Sequence, residues 1–166
     1  MAAANKTHKH KSGDESYSET LEVNKKARRE YEILETLEAG ISLLGSELKS
    51  IRSGGLSLKE SYVQIKSGEC FLMNAHIAPY AFTSVSPPDP YRTRKLLLHK
   101  REIERLGSKN QQKGLTMIPL SCYSNAKGKV KIQLGVGRGK KLHDKREDMK
   151  SKEATRSMER VLKQKR

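Results

Sequence analysis

The clearest alternation of apolar and polar positions lies near residue 130. Val130, Ile132, Leu134 and Val136 alternate with Lys129, Lys131, Gln133 and Gly135. Because successive side chains of a strand point to opposite faces, the pattern predicts a strand with one apolar face and one basic face. Residues 116–123 are predicted to form its partner strand, in which Pro119 indicates an edge position or a bulge.

A second hairpin is predicted earlier in the chain. Residues 61–65 and 70–73 are strand-like runs separated by Lys-Ser-Gly-Glu. Residues 31–44 are ambiguous, because their apolar positions fit both a pair of strands that turn near Gly40 and one stripe of a helix.

Two helices are predicted beside these strands. In residues 45–55, Ser46 is the expected N-cap, Leu48 and Ile51 form the buried side, and glycines end the helix. The second helix follows a proline-containing loop (78–91) and a leucine run predicted to be buried (96–98).

This second helix begins at His99. Glu102 stands three residues later and forms an imperfect capping box. The helix is predicted to direct Ile103 and Leu106 inward and to fade before Gly114.

These elements predict a mainly β, antiparallel fold. We count about six short strands and two or three flanking helices, without β-α-β alternation, which indicates a barrel or sheet with helices at its margins. Residues 1–22 have almost nothing to bury and are predicted to be a disordered tail. Residues 23–142 form the predicted domain, and 143–166 form a basic C-terminal tail.

The C-terminal tail carries weak helical signals. Asp144 and Glu147 resemble an N-cap with its capping-box partner, and acid-before-base pairs follow at i,i+4 spacing. An isolated helix of this length is marginal in water. We therefore predict a segment that is disordered when free and helical on a polyanion.

Composition indicates a polyanionic partner. Lys and Arg number 34 against 19 Asp and Glu, a net charge of +15. RNA or DNA is the first candidate; a charged surface kept for solubility and an anionic membrane are the alternatives. No apolar run approaches the roughly 20 residues of a membrane-spanning helix, and no signal peptide is visible, so a cytoplasmic location is expected.

The glycine-lysine run at 135–141 invites comparison with a P-loop. The comparison fails because Gly139-Lys140 is followed by Lys141 and not by Ser or Thr. The glycines would let a backbone approach a phosphate, and Arg138, Lys140 and Lys141 add charge. RNA contact and an ordinary glycine-rich strand exit both remain open at this point.

Other cations and one histidine are candidate RNA ligands. Arg92, Arg94 and Lys95 lie between the proline loop and the leucine run, where phosphate contacts or a solvated face would fit. Lys129 and Lys131 lie on the basic face of the last strand. His143 would stack on an unpaired base or be exposed to solvent.

Catalysis finds little support in the sequence. His76, His99 and His143 are candidate bases, but no serine elbow, Cys–His signature or paired carboxylates accompany them. Cys70 and Cys122 lie singly inside apolar runs, which predicts buried structural thiols and no metal site. No catalytic residue, metal or cofactor is therefore predicted.

Several segments, in one order, resemble the SmpB family, the SsrA-binding proteins of bacterial trans-translation. The resemblance covers about residues 23–166. The matching segments are NKKAR (24–28), EAG (38–40), ELKSIRSG (47–54), ECFLMNAHIAP (69–79), RTRKLLL (92–98), GKK (139–141) and DKR (144–146).

The resemblance implies an OB-like antiparallel β-barrel with strands in residues 31–44 and no enzymatic activity. It implies binding to the tRNA-like domain of transfer-messenger RNA (tmRNA) and delivery of that RNA to stalled ribosomes. The tail would act in the small-subunit rRNA decoding centre and the vacant mRNA channel. Elongation factor Tu, carrying alanylated tmRNA, would be an indirect partner.

The resemblance also implies roles for particular residues. Glu38, Leu97 and Lys131 look like members of the tmRNA-contacting surface, where Glu38 would accept from a base amino group or hold a nearby arginine. The residues that look like the decoding-centre part of the tail are His143, Asp144, Lys145 and Arg146.

Two other readings stay open. A small structural ribosomal protein with an rRNA-threading tail would have the same charge. An RNA-processing enzyme would need a histidine pair or a metal cluster in one cleft, and the sequence offers neither.

Overall fold

A computed structural model describes residues 19–82, 86–110, 114–141 and 157–158. In chain order its elements are β1 (Glu19–Val23), α1 (Lys25–Glu30), β2 (Tyr31–Ile41), α2 (Gly45–Arg52), β3 (Leu56–Ser57), β4 (Tyr62–Lys66), β5 (Glu69–Met73), β6 (His76–Ile77), β7 (Arg94–Leu97), α3 (Lys100–Asn110), β8 (Leu115–Ser124) and β9 (Val130–Gly139).

Most strands of the described residues belong to one antiparallel sheet of seven, in the order β1-β8-β9-β2-β7-β5-β4, and β3 pairs with β6 separately. The sheet curls, because its last strand, β4, lies against β8. Its hydrogen-bonded ladder stays open between β1 and β4 in the described part of the chain. The mainly β, antiparallel prediction is confirmed, although the predicted number of about six strands is too low.

The inward face of the curled sheet holds an aliphatic core. The central part of this core consists of strand residues: Leu72, Leu96, Ile132 and Leu134. Leu106 of α3 packs into the same buried cluster, so the helix covers the inward face of the sheet. Both cysteines are free and buried, as their apolar surroundings predicted.

Strand β2 settles the ambiguous stretch. It runs without interruption from Tyr31 to Ile41. The strand alternative for this stretch is therefore correct and the helix alternative is wrong, but the expected turn near Gly40 is absent from the strand. Strand β1 pairs with β8 and starts at Glu19, which corrects the expectation of disorder for residues 19–22. Residues 1–18 lie outside the described residues.

Strand β8 explains the proline. It lies between β1 and β9, so Pro119 is not at an edge. The pairing with β9 shifts between Pro119 and Ser121, which confirms the alternative prediction of a bulge.

Both predicted helices are present, but the N-cap residue of the first one differs from the prediction. Helix α2 begins after Leu44, whose backbone N–H donates to the Glu47 carboxylate at 2.8 Å, so Ser46 is not the N-cap. Gly54 follows the helix with φ +83°, as expected of a glycine terminator. In α3, Glu102 accepts from the His99 backbone N–H at 2.8 Å, which confirms the capping box.

Helix α1 was not predicted. Asn24 caps it, because its Oδ1 accepts from Ala27 N at 3.0 Å. The buried Asn24 amide also donates to the carbonyls of Leu58 at 2.7 Å and Pro119 at 3.0 Å. These long-range bonds hold the basic helix against the sheet.

Candidate nucleic-acid interface

One row of residues crosses four adjacent strands on the outward face of the sheet. Tyr123 of β8 is opposite Lys131 of β9, Lys131 is opposite Gly40 of β2, and Gly40 is opposite Leu97 of β7. Residues directly opposite one another in antiparallel strands lie on the same face. We call this face, with Glu38, Lys95 and Lys129 on the same side of their strands, the outer face.

Leu97 is exposed on the outer face. Strand β7 alternates, so Leu96 is buried while Leu97 is 55% exposed. The predicted buried run 96–98 is therefore wrong at its centre. A Cβ at Gly40 would lie 3.2 Å from the Leu97 Cβ, so the absence of a side chain there lets Leu97 lie across β2.

Glu38 forms a small network with two neighbours. Lys131 Nζ lies 2.8 Å from Glu38 Oε1, and the Tyr123 hydroxyl donates to Glu38 Oε2. Hydrogen bonds from Lys131 and Tyr123 lower the pKa of the Glu38 carboxyl, which remains ionised. The cationic partner of Glu38 is therefore a lysine and not the expected arginine, and a tyrosine also donates to the same carboxylate.

The same network affects the tyrosine. Burial and the hydrogen bond to Glu38 raise the pKa of Tyr123 well above its usual range, so the phenol keeps its proton. Lys95, two positions before Leu97 on β7, forms an ion pair with Glu69 of β5. Lys129, two positions before Lys131, is exposed. The outer face therefore combines cations, one carboxylate and one exposed leucine.

Arg94 is not an RNA ligand, contrary to the prediction. Its guanidinium has no exposed area and donates to Glu47 Oε1 at 2.9 Å, to the Ala75 carbonyl at 2.6 Å and to the Pro90 carbonyl at 2.9 Å. A charge that is fully desolvated and fully bonded has no donor left for a phosphate. Arg94 instead links the proline loop to α2 and to the short connection between β5 and β6.

Arg92 lies at the rim of the same cluster. Its Nε donates to Glu47 Oε1 at 2.8 Å, and its side chain is partly exposed. Burial raises the pKa of the Glu47 carboxyl, but bonds from Arg92 and Leu44 and the charge of Arg94 outweigh it, so the pKa lies below its usual value. Glu47 is thus a buried anion between two arginines, only one of which reaches solvent.

The glycine run has a packing role. Gly135 and Gly137 are buried, and a Cβ on them would lie 2.9 Å from Leu120 Cδ1 and 2.7 Å from the Glu32 carbonyl oxygen. Leu120 belongs to a second small core that includes Ala27 of α1. The glycines therefore make room for this core and do not open the backbone to a phosphate, whereas Gly139 has open space around it.

The end of β9 is cationic. Arg138 and Lys141 are exposed, and the Lys140 backbone N–H donates to the Glu30 carbonyl at the end of α1 at 2.8 Å. Helix α1 contributes exposed Lys25 and Arg28. This cluster is separate from the row that contains Lys131.

Two groups of candidates escaped the sequence analysis: Tyr123 and the cations of α1. The sequence could have identified Tyr123 as a candidate, because the predicted hairpin pairs residues 116–123 with the strand of Lys131. The four predicted decoding-centre residues His143, Asp144, Lys145 and Arg146 lie outside the described residues.

The described residues contain no group of three His, Cys, Asp or Glu side chains placed to hold a metal ion. His76 contacts the ring of Tyr91, with centroids 5.0 Å apart. None of the described helices combines the length and the apolar character needed to cross a bilayer.

Comparison with known proteins is consistent across sequence and structure. The family model described as SmpB protein matches residues 21–164. The SsrA-binding protein of Thermosynechococcus vestitus is 53% identical over 145 residues, covering 87% of this chain and 95% of that protein. The SsrA-binding protein of Chlorobaculum tepidum is 55% identical over 141 residues, covering 85% of this chain and 90% of that protein.

A solved structure extends the likeness to the fold. A chain from "tmRNA-SmpB: a journey to the center of the bacterial ribosome" superposes with a TM-score of 0.64 and 49% identity, covering 75% of this chain and 87% of that one. The family match spans the body of the chain and most of the segment after it. The chain belongs to the SmpB family.

Proposed function

We propose that this protein is a non-catalytic, cytoplasmic RNA-binding protein that binds the tRNA-like domain of tmRNA and delivers it to stalled ribosomes for trans-translation. Its relatives are named for binding SsrA RNA, and the similar solved chain comes from a tmRNA–SmpB study of the bacterial ribosome. The family match supports the same function for this chain.

The observation that carries the proposal is the outer face. Glu38, Leu97 and Lys131, far apart in sequence, are brought together there on three adjacent strands. Lysines supply phosphate contacts, and the exposed leucine and the carboxylate supply contacts to bases. Such a mixture suits one folded RNA better than a generic polyanion.

The proposal assigns a separate task to the chain after Lys141. His143, Asp144, Lys145 and Arg146 act in the decoding centre, and the residues beyond them occupy the mRNA channel. Elongation factor Tu with alanylated tmRNA meets this protein through the shared RNA. The body binds tmRNA, and the tail serves accommodation and tagging.

Competition binding tests the body. Labelled tRNA-like domain is bound near physiological salt and challenged with excess elongator tRNA and with an unrelated hairpin. Generic phosphate attraction falls by roughly 0.7 to 0.9 log units per contact for each log unit of salt. Binding that resists both competitors supports the proposal; equal displacement by the hairpin favours a structural ribosomal protein.

A pair of charge-matched variants locates the binding face. Lys131→Ala should weaken binding at least about tenfold, in line with about 1.5 kcal/mol, the lower end of the range for a hydrogen bond to a charged group. Lys100→Ala removes the same charge from α3, which packs on the opposite side of the sheet, and should change the Kd less than twofold. Equal effects of the two changes would contradict a specific face.

Truncation after Leu142 tests the division of labour. The truncated protein should keep most of its tmRNA affinity and lose peptide tagging in a reconstituted translation assay. Loss of most of the affinity would show that the body and tail are not separable.

A further inference from the structure

The hydrogen bond from Tyr123 to Glu38 joins the side chains of two strands, β8 and β2, that are not neighbours in the sheet. The pair lies on the outer face, with Glu38 half exposed. Exposed ion pairs such as Glu38–Lys131 contribute only about 0.2–1 kcal/mol to stability. The ion pair therefore adds little to the stability of the sheet, whereas it fixes the position of a carboxylate on the outer face.

We propose that Tyr123 is a positioning residue of the RNA-binding face, and that it orients Glu38 to accept two N–H donors from the Watson–Crick edge of an unpaired guanine. The proposal rests on the proposed function, since it names what one part of the tmRNA site recognises.

The geometry leaves both carboxylate oxygens usable. Lys131 occupies one site on Oε1, and Tyr123 occupies one site on Oε2. An ionised carboxylate has about four lone-pair sites, so each oxygen can accept a further hydrogen bond. Because Oε1 already has a partner on β9 and Oε2 has one on β8, the carboxylate cannot rotate freely, and the directions of its remaining acceptor sites are fixed.

The charge of Glu38 decides the class of ligand. A carboxylate repels phosphates, so it favours an RNA group that only donates. Guanine presents N1–H and the N2 amino group side by side, which match two carboxylate oxygens. Cytosine, adenine and uracil each place an acceptor next to their donor, and an acceptor facing Glu38 would be repelled.

The neighbouring residues fit a base as well. Gly40 and Leu97 lie two positions along the strands from Glu38 on the same face. Leu97 is exposed and lies across the glycine, which makes an apolar surface beside the acceptor. A base resting on Leu97 would avoid water on one side and direct its edge toward Glu38. Lys131 supplies a positive charge for the attached phosphate.

Chemical changes in both molecules test this pairing. Each unpaired guanosine of the tRNA-like domain is replaced in turn by inosine, which lacks the N2 amino group. The Kd of each RNA is measured by fluorescence anisotropy at one fixed salt concentration with the unchanged protein, Glu38→Gln and Tyr123→Phe. Tyr62→Phe is the control, because Tyr62 is exposed on the edge strand β4 and its hydroxyl makes no hydrogen bond within the part of the chain that the structure describes.

One guanosine position should respond in a particular way. Inosine there should weaken RNA binding by the unchanged protein about 5- to 150-fold, the range for loss of a bidentate base contact, and should have almost no effect on RNA binding by Glu38→Gln. Tyr123→Phe should weaken binding about 3- to 10-fold and reduce the inosine effect. Tyr62→Phe should bind as the unchanged protein does.

Two results would overturn the proposal. One is that inosine and Glu38→Gln act additively at every position; the other is that Tyr123→Phe matches Tyr62→Phe. Thermal unfolding by circular dichroism separates binding from folding, since both tyrosine variants should keep the original Tm. These failures differ from failure of the proposed function, in which the hairpin competitor displaces the tRNA-like domain from every variant equally.

Discussion

Replacing Glu47 by alanine tests how the proline loop and β7 are held. The change removes the carboxylate that accepts from Arg92 Nε at 2.8 Å, from Arg94 Nε at 2.9 Å and from Leu44 N at 2.8 Å. Arg94 keeps its bonds to backbone carbonyls but becomes a buried cation that has lost its ion-pair partner. We expect a large loss of stability, although every side chain of the outer face is still present.

The magnitude follows from the burial of the pair. Removing one partner of a buried ion pair costs about 3–5 kcal/mol. The total stability of a domain is about 5–15 kcal/mol, so the variant should remain folded but close to its limit. At about 2–4 °C per kcal/mol, the Tm should fall by roughly 6–20 °C.

Urea unfolding followed by far-ultraviolet circular dichroism measures the change. The matched control is Glu69→Ala, which breaks the half-exposed pair with Lys95 and should cost less than about 1 kcal/mol. If Glu47→Ala and Glu69→Ala cost the same within about 1 kcal/mol, the argument from burial is refuted.

Three further outcomes are expected. The folded-state pKa of Glu47 lies below 4.5, so its stabilisation should be complete above that pH and be lost as pH falls through the folded value; acid titration of Glu47→Ala should show a shallower decline. Gly137→Ala would place a Cβ 2.7 Å from a backbone oxygen of β2 and should cost about 1–3 kcal/mol in urea unfolding, whereas Gly139→Ala, in open space, should be nearly neutral. Burial raises the pKa of Cys70 to about 11 and of Cys122 to about 12, so a thiol reagent at pH 7.5 should modify neither until urea unfolds the protein.

Elements defined by local patterns were predictable. The β4–β5 hairpin turns at Ser67 and Gly68, both with positive φ, where the Lys-Ser-Gly-Glu run was placed. Strand β9 follows its alternation, and the capping box of α3 is read from residues three apart. In each case the deciding contacts lie within a few residues of one another.

Elements that depend on distant partners were missed. Helix α1 has six residues and is held by Asn24, whose amide bonds Leu58 and Pro119. Arg94 was interpreted as a surface cation because its counter-charge, Glu47, is 47 positions away. Short helices and buried charges are determined by tertiary contacts, which a single sequence does not display.

The bond between Lys140 and Glu30 determines where residues 142–166 can act. It anchors Lys140 to the end of α1, so the chain leaves the body from a fixed origin. Fully extended, 142–166 would reach no farther than about 90 Å from Lys141, and as one continuous helix only about 38 Å. If the tail acts on the ribosome as proposed, its target meets it at a high effective concentration inside that radius once the body is bound, and does not meet it outside that radius.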